Sequence, residues 1–253
     1  ENMQITQEVV NIVVNLLQRQ GYVLVQNVTY YEDALITLSK PVDFLNEPPF
    51  ARAYAKGKGT GSWSGDDIRW RAFVICWAAS QAKSLEGDFV ECGVNLGGTA
   101  MMAIEYIDFR KLDKTFYLLD TYKGLVPEMV NSAEVAAGLL DYNKYYTDCY
   151  DQVSQTFASY SNVKIIQGQV PDTLPEVKSE KVAYLSLDMN CTLPEIATIH
   201  YFWDKLVPGA IVVLDDYGWP QHREQKNAFD KFASEKNIAI LHLPTGQGII
   251  VKK

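Results

Sequence analysis

Two continuous apolar runs, each ending in aspartate, constrain the fold of this chain most strongly. Residues 182–187 form one run and are followed by Asp188, and residues 211–214 form the other and are followed by Asp215 and Asp216. Runs of this kind are typical of strands in a parallel sheet that is covered on both faces. Because ligands bind beyond the carboxyl ends of such strands, we expect the three aspartates to meet at a ligand site.

Three carboxylates at neighbouring strand ends repel one another unless a cation or a proton lies among them. A hard divalent cation such as Mg²⁺ prefers oxygen ligands. We therefore predict that Asp188, Asp215 and Asp216 bind a metal and that the chain is an enzyme. The alternative is local: a turn and a helix N-cap at Asp215 and Asp216, and an Asx-turn at Asp188.

From residue 87 onward, strand and helix patterns alternate. Strands are predicted at 89–92, 115–119, 163–167, 182–187 and 210–214, and the helices at 98–109, 149–159, 194–206 and 221–236. This alternation predicts an α/β fold with a doubly wound, mostly parallel sheet and right-handed crossovers. Residues 238–243 and 248–252 flank Pro244-Thr245-Gly246-Gln247, which predicts a C-terminal antiparallel hairpin and a sheet of seven strands.

Ahead of the core at 87–253, residues 1–86 are predicted to form an N-terminal region of accessory helices, or a lid. Apolar residues at helical spacing predict helices over 6–20, 66–85 and, for a shorter stretch, 30–38. Proline and glycine are frequent over 41–64, so this stretch is predicted to be a flexible loop that folds over a ligand. Residues 122–147 are predicted to be irregular, with a cluster of tyrosines.

Composition narrows the range of partners. The 253 residues carry a net charge of −8, whereas proteins that bind nucleic-acid backbones are normally basic, so no nucleic-acid partner is expected. The apolar stretch 9–17 is too short to span a bilayer, so we expect a cytoplasmic protein with no membrane partner. The helix predicted over this stretch packs either on its own core or on a second subunit, so a homo-oligomer is a possible assembly.

Four dispersed cysteines are predicted to be buried and reduced: Cys76, Cys92, Cys149 and Cys191.

A glycine-rich turn follows the first core strand and opens a helix. Its GxxxGG spacing, from Gly93 to Gly98, matches neither the Walker motif nor the dinucleotide motif GxGxxG, and no lysine follows to hold a triphosphate. The turn therefore favours a ligand that carries adenosine but no phosphate chain. Asp120, at the end of the next strand, is predicted to accept hydrogen bonds from ribose hydroxyls. We assign cofactor binding to Asp120 and to the turn residues Glu91, Gly93, Gly97, Gly98 and Thr99. The alternative is a structural turn with a solvated acid downstream.

The turn belongs to longer stretches that resemble the macrocin O-methyltransferase family, within the class I S-adenosylmethionine-dependent methyltransferases. The matching stretches are Gly87-Asp88-Phe89-Val90-Glu91-Cys92-Gly93-Val94, Gly97-Gly98, Asp120-Thr121-Tyr122-Lys123-Gly124-Leu125, Asp172-Thr173-Leu174-Pro175, and Pro208-Gly209 ahead of Asp215-Asp216-Tyr217. The resemblance covers about residues 60–253. It implies a Rossmann-like methyltransferase fold, S-adenosylmethionine, Mg²⁺ and methylation of a hydroxyl, often on a sugar.

By position, the resemblance matches Asp188, Asp215 and Asp216 to the family's metal ligands and Gly168-Gln169 to its adenine-side turn. Two departures concern the acceptor side. Asn95-Leu96 stands where the family commonly has Trp-Arg, and Met189-Asn190-Cys191 stands where it often has an acid and a tyrosine.

The predicted chemistry is activation of a hydroxyl, because an alcohol is a poor nucleophile at neutral pH. A bound cation lowers the pKa of a coordinated hydroxyl, and the alkoxide attacks the sulfonium methyl. His222 is the predicted proton acceptor, with Asp188 or a metal-bound water as the alternative; an exposed structural role for His222 is the other interpretation. Trp219 and the tyrosines between 122 and 150 are candidates for the wall of the acceptor site.

The leading hypothesis is thus an S-adenosylmethionine-dependent, Mg²⁺-assisted O-methyltransferase acting on a sugar or a natural-product glycoside. A catechol-like phenol acceptor is the nearest alternative, since a diol on the metal gives the same pattern. An NAD-dependent oxidoreductase is disfavoured by the loop spacing and the hairpin. A non-catalytic S-adenosylmethionine-binding protein is disfavoured by the three acids, which a pure binder does not need.

Overall fold

A computed structural model describes residues 6–253 and divides into two compact units, one ending at Asp43 and the other spanning Phe44–Lys253. The sequence instead predicted a division between residues 86 and 87. The units differ from that prediction because the two helices that follow residue 44 pack against the core of the second unit. A lid function for the part before residue 87 stays a prediction.

Over residues 6–43, the first unit holds one helix and one hairpin. Helix α1, Gln7–Arg19, confirms the predicted first helix, and Thr6 is its N-cap. The predicted short helix over 30–38 is wrong, because strands β1 (Val28–Glu32) and β2 (Leu35–Leu38) pair antiparallel there. The turn residues Asp33 and Ala34 both have positive φ, as a two-residue hairpin turn of type I′ requires, and the flanking residues are rich in β-branched and aromatic types.

The second unit is built on a seven-stranded sheet. Its strands are β3 (Asp88–Cys92), β4 (Phe116–Asp120), β5 (Val163–Gln167), β6 (Val182–Leu187), β7 (Leu206–Leu214), β8 (Leu241–His242) and β9 (Gly248–Val251). Their order is β5-β4-β3-β6-β7-β9-β8. The first five are parallel, whereas β9 pairs antiparallel with β7 and with β8. The predicted parallel core and C-terminal hairpin are both confirmed.

Helices cover both faces of this sheet, as expected for a doubly wound fold. They are α2 (Pro48–Lys58), α3 (Arg69–Ala82), α4 (Gly98–Ile107), α5 (Ser132–Ala136), α6 (Tyr150–Phe157), α7 (Thr192–Phe202) and α8 (Arg223–Lys236). Apolar side chains of α3, α4 and α6 form the core on one face. Those of α7 and α8 form the core on the other. All six residues of β6 are buried, which explains its uninterrupted apolar sequence.

Part of the predicted loop over 41–64 is helical. Pro48 and Pro49 start α2, where the missing N–H groups cost nothing. Gly57 lies inside this helix because α2 packs closely on α4: a Cβ on Gly57 would lie 2.3 Å from Met102 Cγ and 2.7 Å from the carbonyl oxygen of Gly98. The glycine that made this stretch look flexible is thus a site of tight packing.

Residues 122–147 are more ordered than the sequence predicted. They contain two 3₁₀ helices, Pro127–Met129 and Leu139–Tyr145, with α5 between them. Asn131 and Glu134 form a capping box at α5, and Glu134 also accepts hydrogen bonds from Thr192 at the start of α7.

Two further expectations concern single features. The four cysteines are buried and unpaired, as predicted. No helix within residues 6–253 has both the length and the apolar character needed to cross a lipid bilayer.

Candidate active site

A cavity of about 260 Å³ lies at the carboxyl edge of the parallel sheet. Residues that follow the ends of β3, β6 and β7 line it together with the last residue of β4, in agreement with the expected position of a ligand site in this class of fold. Its wall includes four carboxylates: Asp120, Asp188, Asp215 and Asp216.

The structure brings the three predicted metal ligands together. One carboxylate oxygen each from Asp188, Asp215 and Asp216 lies within 4.8 Å of the other two. The strand ladder positions them, since the Asp188 N–H donates to Cys92 O at 2.9 Å and the Asp215 N–H donates to Leu187 O at 3.0 Å. Asp188 and Asp215 therefore stand one residue beyond paired strand ends, and Asp216 two residues beyond, where the chain is still held by the sheet.

Positive charge compensates two of these acids only in part, since Arg71 lowers the pKa of each without cancelling the rise. Burial raises the pKa of Asp188 well above its usual range, and the charges of Asp215 and Asp216 raise it further. Burial also raises the pKa of Asp216 to about 6, with a further contribution from Asp215 that His222 partly opposes. Asp216 Oδ2 is buried and has no hydrogen-bond partner among the described residues. A cation or a proton at this position would relieve both the repulsion and the unsatisfied oxygen.

Asp215 differs from its two neighbours, because both of its oxygens are already engaged. Oδ2 pairs with Arg71 Nη1 of α3 at 2.8 Å, and Oδ1 accepts a hydrogen bond from Gln247 Nε2 at 2.9 Å. Gln247 lies in the turn between β8 and β9 and is fully buried. The ion pair and the amide thus fix Asp215 in place and offset its charge.

His222 lies behind the acid cluster and outside the lining of the cavity. Its ring is buried, so the exposed structural role considered from the sequence does not apply. Nε2 is 3.7 Å from Asp216 Oδ1, and Nδ1 shares a hydrogen bond with Gln225 Oε1. In this arrangement the imidazole contacts Asp216 and has no direct access to the cavity.

At the other end of the cavity, Asp120 braces the glycine-rich turn. Its Oδ2 accepts hydrogen bonds from the N–H groups of Val94 (2.6 Å) and Asn95 (2.8 Å), and its Oδ1 accepts one from Tyr122 N–H (2.7 Å). The Thr121 hydroxyl lies 3.3 Å from Oδ1 but has its single proton directed at Gly124 O, 2.7 Å away. One acceptor position on Asp120 therefore remains for a ligand.

Five of the eight predicted cofactor residues line the cavity: Gly93, Thr99, Asp120, Gly168 and Gln169. Gly93 has φ +90°, and a Cβ there would lie 1.9 Å from the backbone oxygen of Asp188. This contact joins the end of β3 to the acid that follows β6, and only glycine permits it.

Glu91, Gly97 and Gly98 lie outside the lining. Glu91 is fully buried and accepts a hydrogen bond from Thr99 Oγ1 at 2.7 Å, and burial raises its pKa to about 8. A Cβ on Gly97 would lie 2.5 Å from the ring of Phe157, so this glycine serves packing. Gly98 was also assigned to cofactor binding from the sequence, but its N–H donates to Ser62 Oγ at 2.8 Å.

Arg71 lines the cavity and was missed from the sequence. Ser62 and Trp63, from the stretch predicted to fold over a ligand, also line it, and so does Tyr146, one of the tyrosines predicted for the acceptor wall. Burial together with the charges of Asp188 and Asp216 raises the pKa of Tyr146. Arg71 shares a helical face with buried Ile75 and Ala78. A charged residue on a face that is otherwise buried could have indicated from the sequence that Arg71 belongs to the site.

A fourth acid, Glu195, stands behind the cluster in the first turn of α7. Its Oε1 accepts a hydrogen bond from Met189 N–H at 2.9 Å, and burial raises its pKa to about 8. Trp219, a candidate for the acceptor wall, lies outside the lining. It packs on Gly246, where a Cβ would come within 2.5 Å of the indole nitrogen.

Residues 65–242, more than two thirds of the chain, match the family model described as macrocin O-methyltransferase (TylF). The chain belongs to the macrocin O-methyltransferase family. The resemblance noted in the sequence is confirmed by this match, which includes the glycine-rich turn, Asp120 and all three acids of the cluster.

Two relatives of similar sequence have names that describe their reactions. Mycinamicin III 3''-O-methyltransferase of Micromonospora griseorubida is 24% identical over 162 residues, which are 59% of this chain and 62% of that protein. Demethyldecarbamoylnovobiocin O-methyltransferase of Streptomyces niveus is 26% identical over 165 residues, 62% of each. The match spans about three fifths of the length of these relatives.

Solved structures agree on the fold. The O-methyltransferase NovP superposes with a TM-score of 0.65 at 21% identity, over 72% of this chain and 79% of NovP. CalS11, a TDP-rhamnose 3'-O-methyltransferase, superposes with a TM-score of 0.54 at 14% identity, over 98% of this chain and 96% of CalS11. These comparisons confirm the Rossmann-like methyltransferase fold.

Proposed function

We propose that this chain is an S-adenosylmethionine-dependent O-methyltransferase that methylates a hydroxyl of a sugar-containing small molecule, with Mg²⁺ at the acid cluster. One observation carries the proposal: a single cavity has the braced glycine-rich turn at one end and three converging aspartates at the other. Family membership and the reactions named for the relatives support it.

The residues present fit S-adenosylmethionine at the end near β3 and β4. Asp120 offers its remaining acceptor position to a ribose hydroxyl, and Gly93, Thr99, Gly168 and Gln169 line the wall beside it. When bound, S-adenosylmethionine supplies a methyl group on a positively charged sulfur. Four carboxylates in the wall favour such a cationic ligand over one that carries a phosphate chain.

The acid cluster fits a divalent cation. Asp188 and Asp216 combine raised pKa values with the unsatisfied buried oxygen of Asp216, which is the environment that an oxygen-seeking dication relieves. Asp215 has both oxygens engaged by Arg71 and Gln247, so we assign the main contribution to Asp188 and Asp216. When bound, Mg²⁺ lowers the pKa of a coordinated hydroxyl.

We assign proton transfer to Asp188 and a positioning role to His222. Asp188 lines the cavity, so its carboxylate can take a proton directly from an acceptor hydroxyl there. His222 cannot take a proton directly from an acceptor in the cavity, but its Nε2 faces Asp216 Oδ1 and orients that carboxylate. This revises the prediction that His222 is the base, and leaves Asp188 in the alternative role that the sequence suggested.

The acceptor hydroxyl belongs near Tyr146 and Met189, which line the cavity beside the acids. A catechol-like phenol is the second candidate acceptor, because adjacent phenolic oxygens present the same diol to a metal. The names of the relatives favour a glycoside. The mycinamicin enzyme is named for methylation at a doubly primed position, and a tetracenomycin enzyme of Streptomyces olivaceus is named for methylation of a compound that carries a rhamnosyl group.

The test combines binding with turnover. Titration calorimetry with S-adenosylmethionine and with NADH should show binding of the first only. Release of S-adenosylhomocysteine should then be measured with a panel of glycosides and catechol, in Mg²⁺ and in EDTA. We expect release with a glycoside in Mg²⁺ and at least a hundredfold less in EDTA. Binding of NADH, or absence of S-adenosylmethionine binding, would refute the proposal. Equal rates in Mg²⁺ and in EDTA would refute the role of Mg²⁺ in turnover.

A further inference from the structure

Exposed apolar side chains are concentrated in the first unit. Of the 19 large apolar side chains that are exposed among residues 6–253, 12 lie before residue 44. Scattered apolar residues are normal on a protein surface, but a dense group of them marks a site of association. The first unit also precedes residues 65–242, which the family model matches, so membership of the family does not account for its surface.

Helix α1 carries an apolar stripe that nothing in the described chain covers. The helix has no buried residue along its 13 positions. Four of its apolar side chains fall within an arc of about 100° around the helix axis, and between 44 and 57% of each is exposed. Their spacing of three, one and three residues is typical of a helix that packs on another helix. The stripe consists of Val9, Ile12, Val13 and Leu16.

The two charged residues of α1 make its surface complementary to itself. Glu8 and Arg19 are 11 residues apart, so they lie within about 20° of each other around the axis, on one flank of the stripe. In an antiparallel pair of helices, residues on the same flank face each other, which brings Glu8 of each copy beside Arg19 of the other. A two-fold symmetric interface requires a surface that is complementary to itself in this way.

The stripe also sets the register of such a pair. When the two-fold axis passes between Ile12 and Val13, Val9 of one copy faces Leu16 of the other. Glu8 and Arg19 are then offset by about 3 Å along the helix axis, a distance that the long arginine side chain spans. Apolar contact and charge pairing therefore agree on one antiparallel arrangement.

The apolar area is sufficient for a stable contact between two copies. Five further apolar side chains between residues 22 and 28 are exposed beyond the end of α1. Together with the stripe they expose on the order of 800 Å², which is what one partner contributes to an interface of standard size.

A lipid surface fits this face less well than a second copy does. Helices that lie on membranes carry many lysines and arginines along their polar side. The polar side of α1 consists mainly of asparagine and glutamine, and Arg19 is its single basic residue. Residues 6–43 hold four acids and two bases, so anionic headgroups would repel this unit.

We propose that the first unit is a dimerisation element, in which α1 packs antiparallel against α1 of a second copy of this chain. The inference is independent of the proposed function, because it uses no residue of the cavity.

The first test compares two substitutions of exposed leucine by sedimentation of the full chain over a hundredfold range of concentration. Leu16→Glu places a charge in the stripe. Leu241→Glu is the matched control, because Leu241 lies on β8 in the second unit and is 60% exposed. We expect a dimer whose dissociation constant rises at least tenfold in Leu16→Glu and stays within twofold in Leu241→Glu. Thermal unfolding followed by circular dichroism checks that both variants fold.

Two outcomes of this comparison would overturn the proposal. One is an unchanged chain that stays monomeric at every concentration, and the other is a dimer that Leu16→Glu leaves intact. Flotation with vesicles of phosphatidylcholine and phosphatidylglycerol covers the lipid alternative. A monomeric chain that floats with these vesicles, and loses this property in Leu16→Glu, would assign the face to a membrane instead.

Charge reversal tests the pairing without altering the apolar stripe. Glu8→Arg and Arg19→Glu should each weaken the dimer at least threefold at low salt, because like charges then face each other. An equimolar mixture of the two variants should recover the lost affinity by forming the mixed dimer, and the double variant should recover it alone. Failure of both to recover it would contradict the antiparallel arrangement.

Introduced cysteines test the register. The four native cysteines are buried, so a thiol at an exposed position of α1 is distinguishable from them. Val13→Cys lies next to the proposed axis and should form a disulfide with its own copy under mild oxidation. In Leu16→Cys the two thiols should lie about 10 Å apart along the axis, too far for a disulfide. Equally efficient cross-linking of both variants would indicate parallel helices and overturn the arrangement.

Discussion

The two ends of the cavity differ in how far the protein satisfies its own polar groups. At the turn after β3, Asp120 accepts hydrogen bonds from the N–H groups of Val94, Asn95 and Tyr122. At the acid cluster, Asp216 Oδ2 is buried without a hydrogen-bond partner among residues 6–253, and the pKa of Asp188 is well above its usual range. The protein thus satisfies most of the acceptor positions of Asp120 at the first end, and leaves a buried oxygen unsatisfied at the second.

This difference indicates two kinds of binding site. A braced turn presents a fixed surface to a cofactor, and little rearrangement is needed on binding. In a cluster of carboxylates whose charge is only partly compensated, a cation relieves the remaining repulsion, so the stability of the protein and its affinity for a metal are coupled. Substitutions in the acid cluster should therefore change stability and metal binding but not cofactor binding, whereas substitutions at the braced turn should weaken cofactor binding.

The largest effect is expected at the acid cluster. Asp216→Asn and Asp188→Asn should each lower turnover about a thousandfold, or roughly 4 kcal/mol, because hydroxyl activation is lost. Affinity for S-adenosylmethionine should stay within a few-fold of the unchanged protein. Thermal unfolding without Mg²⁺ should occur at the same or a higher temperature, since repulsion is reduced. Loss of cofactor binding in either variant would place that aspartate in the other site.

Removal of the cation that accompanies Asp215 should give the next largest effect. Arg71→Met leaves a buried carboxylate without its ion pair, which should lower the free energy of unfolding by about 3 kcal/mol in EDTA. The same change should strengthen Mg²⁺ binding several-fold, because the metal no longer shares Asp215 with a guanidinium. Denaturant unfolding with and without Mg²⁺ measures both. Weaker Mg²⁺ binding would mean that Arg71 supports the metal instead of competing with it.

A smaller effect is expected at the braced turn. Asp120→Asn replaces a carboxylate that accepts three backbone hydrogen bonds by an amide with one acceptor oxygen, so S-adenosylmethionine affinity should fall about 10- to 100-fold, near 2 kcal/mol. Mg²⁺ affinity should not change. Asp148→Asn, which changes an exposed acid outside the lining, is the matched control. Unchanged cofactor affinity in Asp120→Asn would contradict the bracing role.

The pH dependence should be the mildest signature. Asp216 has a pKa of about 6 in the folded protein against an ordinary 3.8, so the folded chain binds more protons than the unfolded chain between these values. The metal-free protein should therefore lose stability as pH rises from about 4 to about 6. Mg²⁺ affinity should rise about tenfold between pH 5 and pH 7, because the metal displaces the proton. Calorimetric titrations at pH 5 and pH 7 check this, and Asp216→Asn should flatten both trends.

The same contrast shows what could be predicted from the sequence. The meeting of Asp188 with Asp215 and Asp216 followed from strand patterns alone, because neighbouring parallel strands end at one edge. The contacts that complete the acid end did not: Arg71 precedes Asp215 by 144 residues, and no periodicity links a helix position to a strand end at that distance.

Glycines were the least informative residues. Gly57 and Gly97 suggested a flexible loop and a ligand contact, yet both allow close packing of protein on protein. In the hairpin of the first unit, apolar spacing was consistent with either a short helix or two strands, and the turn at Asp33 and Ala34 decided the outcome. The sequence alone did not predict the close packing at these glycines or the geometry of this turn, because both depend on the backbone that surrounds them.

The most direct test of a metal-binding acid end is anomalous diffraction from crystals soaked in Mn²⁺, collected with S-adenosylhomocysteine present. The account predicts one strong anomalous peak bonded to carboxylate oxygens of Asp188 and Asp216, with Arg71 still beside Asp215. A map without a peak at these side chains, at a Mn²⁺ concentration that saturates any calorimetric signal, would contradict it.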